Sequence, residues 1–465
     1  MNDEAVSSVM PQLDRLFLGW LEKARLPGLA VGIVSGQDLV WSGGYGYADI
    51  GSRRKPDALT ISRVASITKT FTAAAILQLR DEGLLTLEDP LVLHIPEFSG
   101  ADPRAGTLED VSIKRMLTHR AGLVTEPPLP GWDALKFPSM KEIVNAFPDT
   151  AVAIPQDSAF KYSNLAFALL GEVIARLKGQ PYAQYVKENV FEPLDMTYSD
   201  FEPTGVVLQH LAAGYSPSDH QDMPVNAPYA HMRGMTAAAQ LHSNVTDLAK
   251  WVSFQFRVDG GLRRGAQVLD GRTLEEMHRP VYVEQDWSAG QALGWRATRI
   301  GDRVYHGHGG GIHGFASHIA FNKPSKTGAI VLTNMWPATA AVQVAHAVLE
   351  LILDADAEAA RNACQPVPPP VGAVPDNLAQ YLGRYRAEPG VPVLIEYRGG
   401  ALRFVNPDPS GYTLHAPATL ETTAEVDIMV VRGGRGAGEY AMFARDEAGQ
   451  VASFSLGGFV FRKLR

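Results

Sequence analysis

At 465 residues and 46% hydrophobic composition, the chain is long enough to bury a large core and to fill about three domains. Its formal charge of −8 and isoelectric point near 5.9, without a local run of Lys and Arg, argue against nucleic acid as a partner. The single cysteine, Cys364, excludes an internal disulfide and reads as an incidental thiol beside a Pro-rich stretch.

Near the N-terminus Val9, Leu13, Leu16, Phe17, Trp20 and Leu21 recur at helical spacing, which predicts an amphipathic helix packed on a core. Acidic residues near the start and the lack of an unbroken apolar stretch give no signal-peptide pattern. The longest apolar runs fall short of the roughly 20 residues that span a bilayer. The chain therefore reads as cytoplasmic, or as periplasmic or secreted if a leader is removed, with no membrane partner. Residues 28–49, GLAVGIVSGQDLVWSGGYGYAD, offer two apolar segments around SGQD, a hairpin signal. A helix is expected over ASITKTFTAAAILQL, 65–79. From about 85 to 250 the pattern is mainly helical, broken by Pro-rich loops. Strand signals return in ALGWRATRI, FASHIAFN and AIVLTN, and a last helix runs through AAVQVAHAVLELILDA. Strands at both ends with helices between them predict one sheet assembled from distant parts of the chain.

The stretch PVPPPVGAVP, 366–375, predicts a stiff, extended linker. Beyond it, YLGRYRA, VLIEYRGGALRFV, DIMVVRGG and the C-terminal segments alternate apolar and polar residues, the pattern of a small antiparallel barrel or sandwich. The expected organisation is α/β (α+β), with a first domain over 1–355, a linker over 356–375 and a β domain over 376–465.

Ser66 precedes Lys69 by three residues, so on a helix beginning near Ser66 both side chains share a face, with Cβ atoms roughly 5 to 6 Å apart. A serine hydroxyl becomes nucleophilic when a neighbour takes its proton, and a lysine kept neutral by burial can do so. The helix N-terminus adds N–H groups that favour developing negative charge. The same pair is also compatible with ordinary polar residues of a helix. Tyr162, Ser163 and Asn164 stand ahead of a second apolar-periodic helix. A tyrosine near ammonium groups is expected to have a lowered pKa and to serve as a base, while Asn164 orients Lys69 or a substrate amide. The plainer reading is an N-cap by Ser163 or Asn164, and both can hold together.

Lys326-Thr327-Gly328 poses a choice of third element. Pro324 and Ser325 just before it mark the tip of a hairpin joining FASHIAFN to AIVLTN, which points away from the middle of a sheet. Gly309, Gly310 and Gly311 follow His308 and lack side chains, so backbone N–H groups there can approach a substrate oxygen. The wall of the site is therefore assigned to His308–Gly311, and Lys326 to a solvated turn.

With SITK, YSN, LTHRAGL at 117–123, VFEPLDM at 190–196, NVTDLAKW at 244–251 and GHGGGIHGF in order, residues from about 10 to 355 resemble the serine β-lactamase-like hydrolases: class C β-lactamases, D,D-carboxypeptidases, D-aminopeptidases and esterase relatives. The resemblance implies an antiparallel sheet flanked by helices with a helical subdomain. It implies Ser66 as nucleophile, Lys69 and Tyr162 as proton-transfer partners, and Asn164 as a substrate-positioning residue. His308 would stabilise a tyrosinate or touch substrate. Gly310 and Gly311 would contact substrate, with the N–H groups of Ser66 and Gly311 as the oxyanion hole. The additional deacylating glutamate of class A enzymes has no evident counterpart. His313 stands where a proline is common and His306 adds a second imidazole; each is a pocket residue or a surface or packing histidine. The tail after 375 resembles the lipocalin-like barrel appended to some of these hydrolases.

The leading functional expectation is a serine hydrolase forming a Ser66 acyl-enzyme on short acyl esters, D-aminoacyl amides or peptides. Its alternatives are an acyltransferase or peptide cyclase like the penicillin-binding proteins, and a β-lactamase or penicillin-binding sensor. No metal cluster or nucleotide loop is visible, so no metal and no cofactor are expected. The expected partner is a small-molecule or peptide substrate.

Overall fold

The computed structural model describes residues 3–132, 135–217, 223–257, 268–336, 339–363, 374–386, 393–405, 418–433, 437–456 and 459–464. They divide into two units, Met1–Ala359 and Ala360–Arg465. In the first, helix α1 (Asp3–Lys23) leads into strands β1 (Gly28–Ser35) and β2 (Asp38–Gly46). Helices α2 (Thr68–Asp81), α3 (Asn164–Lys178) and α4 (Val245–Phe254) follow among loops and short turns. The chain then lays down β3 (Tyr282–Val283), β4 (Ala289–Gln291), β5 (Arg296–Ile300), β6 (Arg303–Ile312), β7 (Phe315–Asn322) and β8 (Thr327–Thr333), and closes with helix α5 (Thr339–Ala363).

Among the described residues these eight strands form one sheet in the order β2-β1-β8-β7-β6-β5-β4-β3. Its neighbours are antiparallel, so the first strands of the chain pair with the last one, as the separated strand signals predict. The β1–β2 hairpin turns at Gly36 and Gln37 in register Ser35↔Asp38. Gly36 has φ of 58°, a left-handed value that costs glycine nothing.

Period-two alternation decides which face each side chain serves. Leu29, Val31 and Ile33 of β1, with Ala329 and Val331 of β8, pack under α1 and α5 beside Val9, Leu13, Phe17, Val344 and Leu349. Ala30, Val34, Ile330 and Leu332 face the opposite way, into the core built with α2, α3 and α4. Leu16, Trp20 and Leu21 of α1 are only partly buried, at the edge of its apolar stripe. Because both faces of the sheet are covered, β7 and β8 are buried at every position. Helix α2 lies inside the molecule, buried from Thr68 through Leu77, and this brings Lys69 out of water.

The second unit contains strands β9 (Gly383–Arg386), β10 (Val393–Arg398), β11 (Ala401–Val405), β12 (Ala418–Thr422), β13 (Ile428–Arg432), β14 (Tyr440–Arg445), β15 (Val451–Leu456) and β16 (Phe459–Lys463). They run up and down in chain order, and β9 pairs with β16 to close a barrel. Tyr385, Ile395, Leu402, Val431, Ala441 and Phe454 fill its interior. Closure leaves no sheet edge open to further pairing.

One boundary differs from expectation. The linker expected from 356 begins later, since α5 continues to Ala363; the Ala-rich DAEAARNA, 356–363, has high helix propensity and carries the last turns on. Cys364 and most of the Pro-rich stretch, 366–373, lie outside the described residues. Among the described residues, no helix is long and apolar enough to cross a membrane.

Candidate active site

Ser66 sits in a single 3-10 turn, Ala65–Ile67, that runs directly into α2. Ala65 before it has φ of 46°, uncommon for a residue with a Cβ. The turn is held from the sheet side, where Ser317 Oγ donates to the Val64 carbonyl at 2.9 Å. A Cβ at Gly310 would overlap that same carbonyl, so the backbone of β6 approaches the Ser66 turn as closely as it does only because Gly310 has no side chain. Gly311 is constrained from the other side, since a Cβ there would run into the Trp336 ring.

The hydroxyl of Ser66 meets two partners. Lys69 Nζ lies 3.1 Å from Ser66 Oγ, and Tyr162 OH donates to it at 2.9 Å. Lys69 is fully buried, and desolvation pulls its pKa down to about 7 against the opposing charge of Glu126. Nζ also donates to Asn164 Oδ1 at 2.7 Å and to the Ala238 carbonyl at 2.8 Å; when the amine is neutral, two N–H groups serve those oxygens and the lone pair is left for the Ser66 hydroxyl.

Tyr162 departs from expectation. Its pKa is raised rather than lowered: burial dominates, and the Glu126 carboxylate adds to it, while the hydrogen bond to Ser66 opposes. The ring lies against His119, tilted by 34° with centroids 4.4 Å apart, and such packing takes hydration away from a phenolate. Tyr162 is thus a proton donor at neutral pH. The N-cap expected of this segment is present, because Ser163 Oγ accepts from the Ala166 N–H and caps α3, while Asn164 turns toward Lys69.

His308 is neutral. Burial holds its pKa down at about 4, with nearby Lys69 acting in the same direction. Its Nδ1 lies 2.7 Å from the Gly309 carbonyl, an acceptor that fixes the proton on Nδ1 and leaves Nε2 as an acceptor. A ring in that state has no charge with which to stabilise a tyrosinate, so of the two roles expected for it contact with substrate is the one its state permits. His306 packs on Phe321 beside the His278 carbonyl and does not line the cleft, whereas His313 meets the Trp132 ring at 5.6 Å.

Glu126, Arg296 and His119 carry no signal in the sequence reading beyond the LTHRAGL string, yet they shape the site. Glu126 Oε1 accepts from Asn164 Nδ2 at 2.6 Å and from Trp132 Nε1 at 3.1 Å. Because the carboxylate only accepts, it fixes the Asn164 amide with Oδ1 toward Lys69. Arg296, at the start of β5, extends along Phe160 and lines the cleft. His119 Nδ1 accepts the Ser163 N–H at 3.2 Å and braces Tyr162.

A cleft of about 640 Å³ joins Ser66, Tyr162, Asn164, His308, Gly310 and Gly311. Pairing between β5 and β6 ends at Arg296↔Gly307, so among the described residues the β5-side edge of β6 beyond Gly307 has no strand partner. An extended acyl group can lie along that edge. Among the described residues no cluster of three His, Cys, Asp or Glu is placed to hold a metal ion.

Lys326 stands elsewhere. It occupies the β7–β8 turn with φ of 53°, next to the pair Asn322↔Thr327, whereas Ser317 beside the Ser66 turn pairs with Leu332, five residues along β8. At the rise of a strand that separation is about 17 Å. Lys326→Ala is expected to keep kcat/KM within about threefold of the native protein; a loss of two orders of magnitude would return the Lys-Thr-Gly triplet to the site.

The Beta-lactamase family model matches residues 13–353. Protein flp of Staphylococcus aureus is 27% identical over 327 residues, which cover 70% of this chain and 63% of that one. Beta-lactamase-like protein 2 of Dictyostelium discoideum is 26% identical over 338 residues, 70% of this chain and 59% of its own length. The chain thus spans less than two thirds of the curated relatives it matches. Among solved structures, the octameric penicillin-binding protein homologue from Pyrococcus abyssi aligns over 97% of this chain and 99% of its own with a TM-score of 0.63 at 24% identity. A class C beta-lactamase mutant aligns over 74% and 97% with a TM-score of 0.62 at 20% identity. At these identities the two structures speak to the fold.

Proposed function

The chain belongs to the beta-lactamase family, and from that premise we propose that it is a serine hydrolase that forms an acyl-enzyme on Ser66 with short acyl esters, D-aminoacyl amides or peptides. The observation that carries this reading is the Ser66 hydroxyl held at once by Lys69 Nζ and Tyr162 OH. Lys69 takes the hydroxyl proton as Ser66 Oγ attacks the carbonyl carbon. The developing oxyanion faces the N–H groups of Ser66 and Gly311. Tyr162, kept protonated by burial, gives its proton to the leaving group and regains one from the Lys69 ammonium. Water then repeats the sequence on the acyl-enzyme; an amine doing so instead gives acyl transfer.

Substrate class follows from charge. Neutral His308 offers nothing to a carboxylate fixed next to the scissile amide, as in the bicycle of a penicillin. Arg296 brings a permanent cation to the cleft, suited to a carboxylate on a longer and more flexible substrate such as a D-aminoacyl peptide. Purified protein assayed at pH 7 with p-nitrophenyl butyrate, D-alanine p-nitroanilide and benzylpenicillin tests the reading. The ester or the D-aminoacyl amide is expected to exceed the penicillin in kcat/KM by at least about tenfold, roughly 1.4 kcal/mol of transition-state binding. Efficient penicillin hydrolysis without esterase or amidase activity would overturn it. Product analysis with an added amine separates transfer from hydrolysis.

A further inference from the structure

The cleft does not end on the face of the sheet that carries Ser66. Along β6, Gly307, Gly309 and Gly311 point to the face opposite His308 and Gly310. Paired residues share a face, so the register Gly309↔His318 puts His318 on the far side with them, as do Arg296↔Gly307 and Thr298↔Tyr305 for β5. This is the face covered by α5, whose Val342 and His346 reach the same cleft. Thr298, Gly307, Gly309, His318, Val342 and His346 line one continuous space with Ser66. It passes around the edge of β6 where pairing with β5 stops.

His318 at this end is 6% exposed, and neither of its ring nitrogens has a hydrogen-bond partner among the described residues. A neutral imidazole always carries one donor and one acceptor, and buried polar atoms without partners are uncommon in folded proteins. The residues over the ring are glycines, so no side chain of theirs occupies the space beside its nitrogens: a Cβ at Gly307 would come within 3.1 Å of Nε2 and one at Gly309 within 3.2 Å of Nδ1. His346 stands edge-on to it, ring centroids 5.4 Å apart. Burial keeps both imidazoles below their ordinary pKa, so they offer hydrogen bonds without charge.

We propose that this far-side arm is a second binding subsite, in which His318 and His346 hydrogen-bond an uncharged polar group, an amide or a hydroxyl, carried by the substrate several bonds from its scissile carbonyl. The subsite rests on the reading of Ser66 as the acylated residue. It gives the cleft a means of selecting substrates with a polar extension, and a hydrocarbon of the same length would leave the His318 imidazole unsatisfied.

The test compares esters that differ only in the presence of an amide: p-nitrophenyl acetamidohexanoate against p-nitrophenyl nonanoate for an amide on the acyl side, and p-(acetamidomethyl)phenyl butyrate against p-butylphenyl butyrate for one on the leaving side. In the native protein kcat/KM is expected to favour the amide ester of one pair by about tenfold. His318→Phe removes both hydrogen-bonding atoms and should bring that ratio to about one, and Gly309→Ala, which fills the space over the ring, should do the same. Fluorophosphonate labelling of Ser66 reports whether each variant is folded. If His318→Phe loses labelling, Gly309→Ala decides. Ratios near one for both pairs in a labelled native protein, or a ratio that survives in the folded variants, would overturn the subsite alone. Failure of the native protein to label at Ser66 would instead remove the reading beneath it.

Discussion

Ser66→Ala is expected to abolish covalent labelling by a fluorophosphonate and to lower kcat/KM on p-nitrophenyl butyrate by at least about three orders of magnitude. Reactivity here depends on position more than on residue type. Many serines in the chain have exposed hydroxyls, but Ser66 is half-buried in a turn whose neighbours Ala65 and Ile67 are fully buried. Among the serines of the described residues, its Oγ alone is bonded to both an amine and a phenol. The turn is clamped by Ser317 and by the close approach of Gly310, so the hydroxyl is presented without a loop having to order first. Removing Oγ deletes a group that faces the cleft and leaves the clamp intact, so the variant should keep the thermal stability of the native protein within a few degrees. Peptide mass mapping of the labelled native protein should find the adduct on Ser66. Stoichiometric uptake of label by Ser66→Ala would show that another nucleophile is at work.

How much of this site was legible beforehand depends on whether a feature is local in the chain. Ser66 and Lys69 are three residues apart across the turn that opens α2, and the β7–β8 turn declares itself through Pro324 and Ser325, so the pair and the exclusion of Lys326 could both be read from short strings. The period-two strands of the barrel were equally plain, although closure into a barrel depends on β9 meeting β16 across the whole unit. Glu126 was invisible for the opposite reason: it stands in the Pro-rich loop TEPPLPGW, where no periodicity says which side chain turns inward. Arg296 and His318 belong to the cleft only through strand register, which pairs Arg296 with Gly307 and His318 with Gly309. The direction of the Tyr162 shift failed because ammonium neighbours can be guessed from a motif, whereas depth of burial, the largest cause of the shift here, is a property of the whole core.

The pH dependence of kcat/KM should follow Lys69. Acting as the acceptor of the Ser66 proton it must be neutral, and burial has brought its pKa to about 7. Activity is therefore expected to be high above pH 8, to bend near pH 7, and to fall about tenfold per unit below that as the amine becomes an ammonium and its lone pair is lost. His308 does not contribute to this limb, since it remains neutral until about pH 4. Lys69→Ala should lower kcat/KM by about three orders of magnitude at pH 8 and abolish the limb. Glu126→Gln gives the sharper test. The charge of the carboxylate raises the Lys69 pKa, so its loss lets desolvation act less opposed and moves the limb to lower pH. At pH 6 the variant then loses less activity, relative to its own plateau, than the native protein does. The plateau itself should drop, because a glutamine can donate as well as accept and no longer holds the Asn164 amide in one orientation. A limb unmoved by Glu126→Gln and still present in Lys69→Ala would assign the titrating base to a different group and would remove Lys69 from the proton path.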